Sequence, residues 1–192
     1  MNKRTVATAA SAALALTFLI VMVIVGALPQ QKQFVRFEAK GVMQLPPEQV
    51  NKVAIRAGDR AGVFIRTADG WSSEDGKPLD AAIAKRLSMA VQFMNTSGPV
   101  RVLEPTEFKG TDAKQLGLDE PRISIVLFEG DRPVLGAHFG ARNPDGMLEY
   151  VLVEGRQQVF LLSRFVGEEW DAAAKGALAS SSTAHRGRPT DD

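Results

Sequence analysis

No charged residue falls between Arg4 and Lys32, and within that gap Val6 to Leu28 forms a predominantly apolar run of 23 residues. About 20 such residues cross the hydrocarbon core of a bilayer as a helix, so the run predicts a membrane anchor with room for some tilt. Everything after it is then tethered. The competing reading is a cleaved secretory signal, with Asn2-Lys3-Arg4 as its basic start and Val25-Gly26-Ala27 as its cleavage site. A signal core is usually about 7–15 residues, whereas this run continues unbroken and is densest from Phe18 to Val25, which favours a retained anchor. Lys3 and Arg4 favour a cytoplasmic N-terminus and an exported domain. Lys32, Arg36 and Lys40 on the other flank keep the inverted orientation open.

Four segments follow from this reading: 1–29 as cytoplasmic N-terminus and anchor, 30–47 as juxtamembrane linker, 48–174 as one folded domain, and 175–192 as a disordered tail. The tail reading rests on low-complexity Ala/Ser/Thr composition with nothing to bury. The middle is long enough to close its own core. With no cysteine in the chain, disulfides, thiolate metal sites and a cysteine nucleophile are excluded. A net charge of +1, without a basic stripe, argues against a nucleic-acid partner.

Val50 to Ala57 and Val63 to Thr67 alternate across Gly58-Asp59-Arg60, which predicts a hairpin; the turn Ala68-Asp69-Gly70 then delivers Trp71. Asp80 reads as the N-cap of a helix over Ala81 to Asn95, because Ile83, Leu87, Ala90, Val91 and Met94 recur at steps of three and four. Gly98-Pro99 ends that helix, and Val100 to Leu103 reads as a short strand.

From Pro121 the pattern is a meander of four strands, Arg122–Phe128, Pro133–Phe139, Leu148–Val153 and Gln158–Leu162. Explicit turn residues join them. The short loops dictate antiparallel pairing. Several strands are apolar on both faces, so both need covering: one by the Asp80 helix, the other by the C-terminal segment, the hairpin layer or a partner protein. Ser163 to Ala174 predicts a second short helix. The fold class is therefore α+β: an N-terminal transmembrane helix, then an antiparallel-sheet domain. The tripeptide Gly-Asp-Arg recurs at 58–60 and 130–132, which reflects either two related halves or turn chemistry alone.

Leu116-Gly117-Leu118-Asp119-Glu120-Pro121, an apolar strand, Phe139-Gly140, Tyr150-Val151 and Val159-Phe160-Leu161-Leu162 together resemble the bacterial family known as domain of unknown function 4340. The strand pair leading into Asp69-Gly70-Trp71 and a helix fits too, so the resemblance spans about residues 48 to 165. It implies a membrane-anchored, exported domain, in some members beside ABC-type transport systems, with no catalytic residues. Gly117, Leu118, Pro121, Gly140 and Tyr150 are its structural motif positions. This chain carries one short copy behind one anchor, unlike the longer multi-copy members.

The search for chemistry agrees with that silence. A histidine-based metal site or Ser-His-Asp triad would have to be built on His138, in a predicted strand, since His185 lies in the tail. A packed or edge role for His138 is the plainer reading. No phosphate loop or dinucleotide fingerprint is present. Asp119-Glu120 and Glu168-Glu169 are adjacent pairs that do not converge in sequence. Trp71, with Phe18 and Leu19 of the anchor, is a candidate partner contact; its alternative is a plug between hairpin and helix. Small residues at Ala10, Ser11, Ala12, Ala13 and Ala15 permit close helix packing in a bilayer.

The expectation is thus a non-enzymatic, single-pass accessory subunit of a larger bacterial membrane complex. It sits at the inner membrane with a periplasmic domain, bound to integral-membrane subunits and to the bilayer through Val6 to Leu28, without cofactor or metal. The alternative is a ligand-binding or sensor auxiliary of an ABC-type transport system, with its pocket between hairpin layer and meander. A hydrolase using exposed carboxylates is the third reading.

Overall fold

The computed structural model describes residues 16–18, 22, 40–108 and 114–185, the last with side chains as far as 180. The chain divides into two units, Met1–Glu38 and Ala39–Asp192. Of the first, residues 16–18 and 22 are helical and exposed; the rest of the predicted anchor, Leu19 included, lies outside the described residues. Among the described residues no helix is long and apolar enough to cross a membrane.

The second unit is an α+β domain with eight strands in one sheet: β1 (Lys52–Ala57), β2 (Arg60–Thr67), β3 (Gly70–Ser73), β4 (Arg101–Leu103), β5 (Ile123–Glu129), β6 (Arg132–Arg142), β7 (Leu148–Val153) and β8 (Val159–Ser163). Helix α1 (Ala81–Thr96) follows β3, and α2 (Arg164–His185) follows β8. The order across the sheet is β3-β2-β1-β5-β6-β7-β8-β4, and every pairing is antiparallel. The two Gly-Asp-Arg turns close the β1–β2 and β5–β6 hairpins, with Gly58 at φ 57° and Gly130 at φ 62°, a conformation that glycine adopts at no steric cost.

The hairpin is not a separate layer. β1 pairs with β5 from Lys52↔Phe128 to Ala57↔Ile123, so hairpin and meander form one continuous sheet and the cleft expected between them does not exist. Both helices bury their stripes in a single core with Val53, Ile55, Phe64, Ile125, Phe139, Val151 and Leu162, the inward residues of the strands. By the period of two, Ala54, Val63, Ser124, Val126, His138 and Leu152 point the other way, and all are half-buried. The helices therefore share one face rather than covering both. Leu116, Val159 and Leu161 are buried outside that core.

Helix α1 begins as its N-cap requires: Asp80 Oδ1 accepts from Ala82 N at 2.9 Å, a contact typically contributing about 1 kcal/mol. Two boundaries differ from the sequence reading. Residues 40–45 are part of the domain rather than a linker, because Gly41 N and Met43 N donate to Asn95 O and Met94 O at 2.7 and 2.9 Å, and Met43 is buried. At the other end, α2 runs on to His185, where a disordered tail was expected beyond Lys175. Ala177 and Leu178 continue the buried stripe of Val166, Trp170, Ala173 and Ala174, so the segment does have something to bury.

Candidate functional site

The most polar region of the core lies where α2 starts on the β6–β7 hairpin. Glu149 occupies an inward position of β7, in phase with Val151 and Val153, and is fully buried. A β-bulge aims its neighbour: β6 takes three steps from Phe139 to Arg142 while β7 takes two from Val151 to Glu149. The extra residue returns Arg142 to the helix-facing side, opposite Glu149. Arg142 Nε lies 4.0 Å from Glu149 Oε1, and its Nη2 donates to Glu168 on α2 at 3.1 Å. Arg122, just before β5, donates to both Glu149 and Asp171.

Gly167 permits this closeness, because a Cβ there would overlap the Glu149 carboxylate. Oε2 of Glu149 has no hydrogen-bond partner among the described residues, nor does the buried indole nitrogen of Trp170. Burial pushes the Glu149 carboxyl up to about 7; the Arg122 charge opposes this, Asp171 adds to it, and Arg142 lowers it while Glu168 raises it. A buried carboxyl is seldom the cheapest way to stabilise a core, since desolvating its charge costs several kcal/mol, on the order of what pairing with the partly exposed arginines returns. Perturbed carboxyls of this kind gather at working sites.

Beside the cluster is an open depression of about 490 Å³, walled by Arg122, Arg142, Asp171 and Glu120 and floored by Gly117 and Gly140. Three of the motif positions read from sequence meet here. A Cβ on Gly140 would overlap Leu116 O and come within 2.9 Å of Leu118 Cδ2, and one on Gly117, at φ 64°, would come within 2.6 Å of Ala141 N. Pro121 and Tyr150 are half-buried, Tyr150 on the opposite side of β7 from Glu149. Of the charged members of the cluster, the sequence reading named only Glu168, within an adjacent pair, and missed Glu149, Arg122, Arg142 and Asp171. The signal for Glu149 was a charge at a core-phase position of an otherwise apolar strand.

Trp71 is 2% exposed; its indole N–H donates to Ser88 Oγ at 2.9 Å and the Arg66 guanidinium lies 4.6 Å from the ring centre. It plugs the space between β3 and α1 and presents no surface to a partner. Phe18, in the first unit, is 65% exposed. His138 is on the face away from the helices, with Nδ1 2.9 Å from Ser124 Oγ and Nε2 3.2 Å from Glu154 Oε1. Among the described residues no group of three or more histidines or carboxylates is placed to hold a metal ion.

Fold and site define an α+β domain with a fully antiparallel sheet, two helices on one face and, at the start of the second, a buried glutamate flanked by two exposed arginines. No protein-family model, curated protein or solved structure matches the chain.

Proposed function

We propose that the chain is a membrane-tethered accessory subunit of a larger bacterial membrane complex. It is held at the inner membrane by Val6 to Leu28 with its sheet domain on the periplasmic side, and it works by binding rather than catalysis. The observation that carries this reading is the asymmetry of the sheet: both helices pack on one face, while Ala54, Val63, Val126 and Leu152 of the other stay half-buried. Such a face is suited to receive a neighbouring subunit. The apolar run and the resemblance to an anchored, exported family support the location.

The test is purification of the full-length protein in mild detergent, with co-purifying chains identified by mass spectrometry. The reading expects integral-membrane subunits in fixed ratio that are lost when Val126→Glu alters the open face or when an unrelated anchor replaces Val6 to Leu28. A protein that emerges alone and monodisperse overturns it.

A second reading, a ligand-binding auxiliary of a transport system, is supported by the depression beside Arg122, Glu149 and Arg142. A transported solute that raises the melting temperature of the full chain, but not that of Arg142→Gln, would decide for it. A solute that stabilises both chains equally would remove it.

A further inference from the structure

On the open face, register places three polar residues in one row: Arg56 of β1 opposite Ser124 of β5, and Ser124 opposite His138 of β6. They border a depression of about 310 Å³ with Ala54, Val63 and Val126 among its apolar walls. That size is at the small end of ligand sites, roughly 300–1,000 Å³.

The polar groups are already sorted. Glu154 folds across Gly136, where any Cβ would overlap its carboxyl group, and so reaches His138 Nε2. Glu154 Oε1 lies 3.2 Å from His138 Nε2, and His138 Nδ1 and Ser124 Oγ share a hydrogen bond at 2.9 Å, which holds both side chains beside the depression. Of the two charged residues lining it, the carboxylate is thus engaged. The Arg56 guanidinium has no hydrogen-bond or ion-pair partner among the described residues. A planar guanidinium next to apolar walls is matched by a carboxylate, which it grips bidentately, carrying a short aliphatic body for Ala54, Val63 and Val126. A dianionic phosphate is matched less well, because Glu154 lies on the same rim and only one cation faces it.

We propose that Arg56, Ser124 and His138 form a subsite for a monocarboxylate with a short apolar body, Arg56 holding the carboxylate. The proposal goes beyond the docking reading of this face and does not depend on it. Two sources share that chemistry, a free short-chain acid and the C-terminal residue of a partner chain.

The test uses the full chain in uncharged detergent micelles, followed by the imidazole signals of its two histidines in NMR spectra. Butyrate is expected to shift the His138 signals saturably while His185 serves as control. Arg56→Gln, at an exposed position, is expected to weaken binding about tenfold or more, and butyramide to produce no shift. An unmoved His138, or an equal response to butyramide or in Arg56→Gln, overturns the proposal. If a short peptide ending in free valine binds more tightly than butyrate and its amide does not bind, the carboxylate is a chain terminus; the reverse order assigns a free acid. If butyrate binding depends on Arg56 while membrane subunits still co-purify with both Arg56→Gln and Val126→Glu, the subsite stands and the docking reading of this face falls.

Discussion

The Cα of Gly167 rests on the buried carboxylate of Glu149, and no side chain of any size fits between them. This contact fixes how closely the first turns of α2 approach β7. Gly167→Ala sets two effects against each other. Alanine favours an interior helical position by about 1 kcal/mol over glycine, whereas overpacking a filled core costs about 1–3 kcal/mol. The overlap is with a carboxylate wedged against arginines, which has little room to move, so the cost is expected to win. Urea unfolding should show a net loss of up to about 2 kcal/mol. A more stable variant would mean that α2 can shift away from β7.

The buried carboxyl also makes stability depend on pH in a definite sense. Its pKa is raised from 4.5 to about 7, so between those values the folded chain holds a proton that the unfolded chain has released. Stability from this group is complete below about pH 4.5 and is lost as pH rises through about 7, by on the order of 3 kcal/mol. Asp75, Glu107 and Asp131 have lowered pKa values and act with the opposite sign, at more acid pH. Denaturation curves from pH 5 to 8 should therefore show a decline that Glu149→Gln removes. A flat profile in the unaltered protein would contradict the assignment.

Leu178 is 1% exposed and lies 3.0 Å from where a Cβ on Gly62 would sit. Leu178→Ala should cost about 2–4 kcal/mol, as for a fully buried leucine. Ending the chain after Lys175 should do at least as much. Calorimetric melting that is indifferent to both changes would return this segment to a tail.

Trp71→Phe keeps a ring but removes the donor to Ser88 Oγ, leaving that hydroxyl half-buried and unpaired. The expected loss is about 1–2 kcal/mol, with co-purifying subunits unchanged because the ring is internal. Loss of those subunits from a variant of normal stability would instead make Trp71 a contact residue.

What was legible in the sequence was local. Alternation announced the strands, Asp80 announced α1, and Gly58, Gly70 and Gly130, all at positive φ, stand at turns named from sequence. What was not legible was carried by distant partners. The pairing of residues 52–57 with 123–128 leaves no mark in either segment, so a separate hairpin layer stayed among the alternatives for covering the sheet. The end of α2 looked featureless because beyond Lys175 its core contacts come from Ala177 and the single Leu178, too few to make a visible apolar period. Glu149 carried a visible signal in its phase with Val151 and Val153. Its partners Arg122 and Asp171 are distant in sequence, and only the bulge in β6 reveals where Arg142 points.

The position of β4 has a consequence for the order of events in folding. This strand lies near the middle of the chain, yet its neighbour in the sheet is β8, some 60 residues later. A growing chain that ends before Val159 has nothing for β4 to join, and the central seam of β1 against β5 is equally unmade until residue 129 has emerged. Residues 52–103 thus keep open strand edges until β5 and then β8 have been made, a period in which they are most exposed to aggregation.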